Sequence, residues 1–262
     1  MKRSSGARLC ATAAIGALSL SLLTACSDDG SKDAADSKTS ASSSAASSSA
    51  PATKAHTKAE LEKLLLAQGE LKGYKVDSGD DTLPASKSVV KTDKPACDPL
   101  AWATAALAPG DTDANAGNTV AEDKTAAGAT AKPTDLADAF DIDMTFVGLS
   151  SYAGDGAEKA MKAVSDGVKT CAGGYGLKAD GENTKVTRVA ADKGSGKGDE
   201  TVAFVEDVDM DGQGKATFHA EVVRKGNTVA TFYTVNFAGF EKGGDMGAVP
   251  AAVIDAQVAK LK

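Results

Sequence analysis

The chain has 262 residues, 42% hydrophobic and 25% charged, which is globular composition with room for one large or two small domains. With 29 Lys and Arg against 36 Asp and Glu, no clustered basic stripe and only 5% aromatic residues, it has neither the charge nor the stacking surface that nucleic acid requires. Nucleic acid is excluded as a partner.

The amino terminus sets the expected compartment. Lys2, Arg3 and Arg8 form a positive segment, and Ala11 to Leu23 form an uncharged apolar run of signal-peptide length. A membrane span needs about 20 such residues, and here the run gives way at Cys26 to Ser27-Asp28-Asp29-Gly30. Its end, Leu23-Thr24-Ala25-Cys26, resembles the lipobox of bacterial lipoproteins, in which the Cys becomes diacylated on sulfur and is the first mature residue. The alternative is an ordinary secretory signal with a chance Cys. On the lipobox reading residues 1–25 are a signal peptide that is removed, Cys26 is the lipidation site, and the protein is anchored on the extracytoplasmic face of the cell membrane. Removing residues 1–25 leaves 26 basic against 36 acidic residues, a net charge of −10, so anionic lipid offers no attraction and the acyl chains must hold the protein alone. Residues 26–56 are rich in Ser and Ala, carry no aromatic or large aliphatic side chain, and read as a disordered tether with a reach of about 30 Å. His56 at its end reads as solvated.

Cys10 leaves with the signal peptide and Cys26 carries the lipid, so Cys97 and Cys171 remain, in a compartment that permits disulfides. They are expected to pair; two buried free thiols are the alternative. Neither has a neighbouring Cys or His, which argues against zinc.

Residues 57–262 read as a single α+β domain. Thr57 with Glu60 fits a capping box, and Leu61, Leu64 and Leu65 give a first amphipathic helix ending near Gly69. Tyr74 to Val76 and Val89-Val90 are short strand candidates. A second helix is expected after Cys97, with Asp98 as N-cap, Pro99 at the first helical position, and Trp102 as a core anchor. Residues 109–135 are poor in large apolar residues and read as a long exposed loop, either a lid or a passive insertion. Phe140, Ile142, Met144 and Phe146 alternate with polar residues as a half-wet strand. Ala157, Met161, Val164, Val168 and Cys171 recur at helical spacing. Strands follow at 185–189, 200–208, 216–224 and 228–237, with a hairpin turn at Gly226-Asn227, and a last helix runs from about Val249 to Leu261. The expected architecture is an antiparallel sheet with helices packed mainly on one face.

Catalytic constellations are sparse. The one His after the tether, His219, falls on the outward side of its strand with Thr217 and Glu221. The stretch Gly148-Leu149-Ser150-Ser151-Tyr152 breaks the nucleophile-elbow pattern at its last position. Asp207, Asp209 and Asp211, followed by Gly212, match the first half of an EF-hand calcium loop. The second half fails, since Phe218 stands where a bidentate Glu belongs, so the bland reading is a hairpin tip with calcium as a weak candidate. No cofactor motif is read.

The helix ending Thr170-Cys171-Ala172-Gly173, the stretch from Leu64 to Tyr74, and Cys97-Asp98-Pro99-Leu100 resemble the PknH-like extracellular sensor domain family, found on an actinobacterial receptor kinase and on lipoproteins. The resemblance covers roughly residues 57–262. It implies a cleft-bearing α+β module with an extracytoplasmic role in sensing or partner binding. Family members carry two disulfides where this sequence can form one, and the chain has neither a kinase nor a spanning helix. The functional expectation is a non-catalytic module binding a protein partner or a small envelope ligand. A carrier of a lipophilic envelope molecule is the alternative, and a cell-wall hydrolase a distant third.

Overall fold

The computed structural model of the chain describes residues 54–78, 82–112, 114–124, 141–179, 181–210, 214–240 and 244–261. The signal segment, Cys26, the tether up to residue 53, Phe140 and Asp211 lie outside the described residues. Lys54 and His56 are already tied to the body, because Asn227 Nδ2 donates to the Lys54 carbonyl at 2.9 Å and His56 N donates to Ser151 Oγ at 2.9 Å.

Among the described residues nine strands form one sheet, with every neighbouring pair antiparallel: β1 Tyr74–Asp77, β2 Val90–Thr92, β3 Asn115–Glu122, β4 Asp143–Ser151, β5 Tyr175–Ala179, β6 Glu182–Ala191, β7 Glu200–Asp209, β8 Lys215–Lys225 and β9 Thr228–Asn236. Their spatial order is β1-β3-β4-β9-β8-β7-β6-β5-β2. Gly226-Asn227 turns β8 into β9, and Gly226 adopts the left-handed φ of 59° that this two-residue connection demands. Among the described residues four α-helices flank the sheet: α1 Lys58–Leu64, α2 Asp98–Ala103, α3 Gly156–Thr170 and α4 Ala251–Ala259. Among the described residues no helix is long and apolar enough to cross a membrane.

The helices divide between the two faces. On one, Met161 and Val164 of α3 and Leu100 of α2 pack with Phe204, Phe218, Ala220 and Val222. On the other, Leu61 of α1 and Val253 and Ile254 of α4 pack with Val147, Leu149, Val223, Ala230 and Phe232. The expectation of helices mainly on one face is corrected here. Its physical basis is the inner strands: Val222 and Val223 are both fully buried, on opposite faces, so the centre of the sheet must be covered twice.

The long loop expected over 109–135 is corrected as well. Residues 115–122 form β3, which pairs with β1 on one side and β4 on the other. Its Asn, Ala, Gly, Thr and Val side chains are small because both faces are closely covered: α1 lies against one, and Leu83 and Ala106 approach Gly117 on the other. Residues 125–135 lie outside the described residues.

The first helix starts with the expected box, in which Glu60 N donates to Thr57 Oγ1 and Thr57 N to Glu60 Oε2. Its end is finished by a side chain from far away. Gln257 of α4 is fully buried; its Nε2 donates to the Leu64 carbonyl at 2.8 Å and its Oε1 accepts from Leu66 N at 3.0 Å. Asn118 of β3 adds a bond from Nδ2 to the Leu66 carbonyl. Gln257→Ala takes the side-chain partner from one buried and one half-buried backbone group, so it is expected to lower stability by about 2–3 kcal/mol, read as a shift in urea midpoint. Asp98 departs from its expected role: Cys97 takes the N-cap position, and Asp98 Oδ1 instead accepts from Thr92 N and Thr92 Oγ1.

Cys97 and Cys171 form the expected disulfide, with Cα atoms 5.9 Å apart and both residues fully buried. It joins the start of α2 to the end of α3. Trp102 of α2 packs against the same core, donates its indole N–H to the Val90 carbonyl at 3.2 Å, and carries the Lys87 ammonium 4.6 Å from its ring centroid.

Candidate functional site

A cleft of about 690 Å³ opens beside the first residues of β3, a volume within the range of small-ligand sites. Asn115, Ala116 and Gly117 form its floor, residues 83–88 and Ala106 to Ala108 its walls, and Lys58 and Glu62 of α1 its rim.

Two glycines make the geometry possible. Gly117 of β3 and Gly148 of β4 stand directly opposite one another, and the chain leaving α2 descends into the notch they leave. A Cβ on Gly148 would meet the Ala106 carbonyl oxygen at 2.4 Å and Thr231 Oγ1 at 2.6 Å. Ala106 itself is held at a φ of 53°, the left-handed region that an L-residue adopts at a cost of about 1–2 kcal/mol. Asn115 Nδ2 donates to its carbonyl at 3.3 Å, fixing the strained residue to the strand below. Gly148→Ala is expected to destabilise the fold by about 2–3 kcal/mol, because a backbone carbonyl cannot swing aside as a side chain would. Thermal unfolding of the variant checks this.

The opposite wall is fixed by Lys87. Its ammonium donates to the Gly110 carbonyl while lying over Trp102, which ties residues 87–88 to the segment that follows α2. Tyr152 pins the same segment by accepting from Gly110 N at 3.0 Å, and its burial raises the phenol above its ordinary value. The disulfide anchors the beginning of α2, so the cleft wall is held at both ends.

The residues singled out from sequence lie elsewhere. His219 stands on β8 between two carboxylates, with Nδ1 2.8 Å from Asp192 Oδ2 and Nε2 3.3 Å from Asp245 Oδ1. Its face of the sheet is wetter than the α3 face but partly covered: Glu221 is buried and accepts bonds from Ser195 N and Ser195 Oγ in the loop after β6. Neither nitrogen of His219 meets a hydroxyl or thiol among the described residues, so it activates no nucleophile there. Asp207, proposed from sequence as a calcium ligand, is engaged by Arg188 Nε at 2.7 Å and by Thr217 Oγ1 at 2.9 Å, and the guanidinium holds its carboxyl below the usual range. Asp209 is exposed at the end of β7, and Asp211 lies outside the described residues. Among the described residues no three His, Cys, Asp or Glu side chains are grouped to hold a metal ion.

Sequence reasoning missed the cleft because its signal was one of size. Gly117, Gly148 and Ala106 carry no functional group, and a run of small residues reads equally as a loop or as a closely covered strand.

No family model matches the chain, and no curated protein does. Among solved structures, the extracellular domain of PknH from Mycobacterium tuberculosis is similar, with 14% sequence identity, a TM-score of 0.44, and coverage of 79% of this chain and 98% of that domain.

Proposed function

We propose that the protein is a non-catalytic binding module, held on the extracytoplasmic face of the membrane by a lipid on Cys26, with the cleft beside β3 as its ligand site. The cleft carries the reading: a strained residue, two facing glycines and a lysine clamp maintain an opening of about 690 Å³ that the hydrophobic core alone does not require. The buried disulfide supports an exported location, since such bonds persist where the environment is oxidising. The anchor itself rests on the Leu23-Thr24-Ala25-Cys26 sequence.

The carrier reading is less favoured. An acyl chain needs an apolar cavity, and Lys58, Glu62, Ser86, Ser88 and Thr112 stand in these walls. A hydrolase acting on cell-wall glycan would need a pair of carboxyl groups at the cleft, and among the described residues Glu62 is the one acid that lines it, with His219 elsewhere.

Native mass spectrometry of the protein extracted gently from its host envelope tests both parts. The expected result is a diacylglyceryl mass on Cys26 and a second, non-covalent adduct, which disappears in Ala85→Trp, a substitution that fills the cleft from an exposed wall position. A protein with no acyl group overturns the anchor. An adduct that survives Ala85→Trp places the ligand elsewhere.

A further inference from the structure

We infer that residues 54–56 form a strap that sets the width of the cleft, with Ser151 as the positioning residue that ties the strap to the cleft wall. The inference takes the cleft as the ligand site proposed above and adds how its opening is governed.

Ser151 carries it. It is the last residue of β4 and fully buried, yet its polar groups reach three different segments. Its Oγ accepts from His56 N at 2.9 Å, in the strap, and donates to the Asn227 carbonyl at 3.4 Å, in the β8–β9 turn. Its carbonyl accepts from Thr112 Oγ1 at 2.8 Å, and its N donates to the Ala114 carbonyl at 3.1 Å. Thr112 lines the cleft, and its Oγ1 also accepts from Ala114 N at 3.1 Å, which fixes that wall to the start of β3. One buried residue therefore holds the strap by its side chain and the cleft wall by its main chain. Asn227 secures the other end of the strap, with Nδ2 donating to the Lys54 carbonyl at 2.9 Å.

The strap runs straight into α1. Thr57 caps that helix, and Lys58, its first residue, stands on the cleft rim. The helix is seven residues long, and its far end is fastened by Gln257 through the Leu64 carbonyl and Leu66 N. With one end fixed, the position of the other decides how far the rim stands from residues 83–88. Two hydrogen bonds between side chain and main chain are weak beside the stability of a whole domain, so the strap can release while the sheet stays folded. The strap is also the first part of the domain to follow residues 26–53, so a pull on the anchor proposed at Cys26 reaches it before the sheet. By linkage, a ligand that holds the rim closed also holds the strap down.

The test reads the cleft directly and needs no ligand. Spin labels are attached to p-acetylphenylalanine placed at positions 58 and 86, on the rim and the opposite wall, which leaves the cysteines untouched. Their separation is measured by double electron–electron resonance in the full chain, beside amide hydrogen exchange. Ser151→Ala removes the hydroxyl from the strap and keeps the main-chain bonds to Thr112 and Ala114. His56→Pro removes the same bond from the other side, whereas His56→Ala keeps the N–H. The separation is expected to rise by about 2–3 Å, half a helical turn, in Ser151→Ala and in His56→Pro, and to stay at the parental value in His56→Ala. Because both variants break one bond, combining them is expected to widen the cleft no further. An unchanged separation in variants whose β8 and β9 amides stay protected overturns the strap. Widening that adds up in the double variant overturns the Ser151–His56 bond as the link. Loss of β8 and β9 protection in both single variants assigns these residues to the stability of the sheet and overturns the strap as well. None of these results alters an adduct that is lost in Ala85→Trp, so the strap and the ligand site fail separately.

Discussion

Replacing both Cys97 and Cys171 with Ala is expected to cost about 4 kcal/mol and to lower the melting temperature by roughly 8–16 °C. The two residues are 74 positions apart, and closing a loop of that length removes about 4 kcal/mol of chain entropy from the unfolded state. For a domain of this size each kcal/mol moves the midpoint by about 2–4 °C. The bond also has a local consequence. It fixes the start of α2, whose other end feeds Ala106 and the cleft wall, so its loss is expected to weaken ligand retention by more than the change in global stability alone predicts. Comparing calorimetric melting with hydrogen exchange of residues 104–110 separates the two effects. If that segment is unchanged while the midpoint falls, the disulfide acts on the unfolded chain and not on the cleft.

The elements legible in the sequence were those with strong periodicity. The buried stripe of α3 and the Gly226-Asn227 hairpin follow from side-chain spacing, and the structure places them as expected; β4 forms as a strand, but its expected half-wet alternation is corrected, because Thr145 is fully buried while Met144 and Phe146 are half-buried and residues 147–151 are buried on both faces. The disulfide followed from counting cysteines. What stayed hidden was set by partners distant in the chain. β3 has little hydrophobicity of its own and becomes a strand because β1, β4, α1 and the segment after α2 enclose it. Gln257 reads as one polar residue on an amphipathic helix, yet it finishes α1 some 190 residues earlier. Glu221 sits at an outward strand position and is buried by the loop after β6. The cleft belongs to the same class: it is a relation between glycines on neighbouring strands, and no local pattern contains it.

Glu206 illustrates a long-range relation with a measurable signature. An acid in the middle of β7 reads as a wet-face residue, yet it is only 4% exposed, on the same face of the sheet as Phe204 and Val208. Burial raises its carboxyl to about 7, even though Tyr175 donates to Oε1 at 2.6 Å and pulls the other way. Desolvation therefore wins over the hydrogen bond. The same burial and the neighbouring carboxylate push Tyr175 and Tyr233 well above the ordinary phenol range. The unfolded chain releases the Glu206 proton near the ordinary value of about 4.5, so between that pH and about 7 the folded state holds more protons than the unfolded one. The stabilising contribution of the neutral acid is then complete below pH 4.5, declines by up to about 1.4 kcal/mol per pH unit as pH rises, and is gone above pH 7, a total of about 3 kcal/mol. The paired surface acids act in the opposite sense. Asp199 and Asp207 are held low by their hydrogen-bond partners and lose their contribution as the pH falls into the ordinary carboxylate range. Stability should therefore be greatest near pH 4 to 5. Glu206→Gln keeps an acceptor for Tyr175 and has no charge to desolvate, so it is expected to flatten the decline and to exceed the parent protein by about 3 kcal/mol at pH 8 while matching it near pH 4. Urea unfolding across that range decides the matter, and a parent protein equally stable at pH 5 and pH 8 would mean that Glu206 reaches water in the folded state.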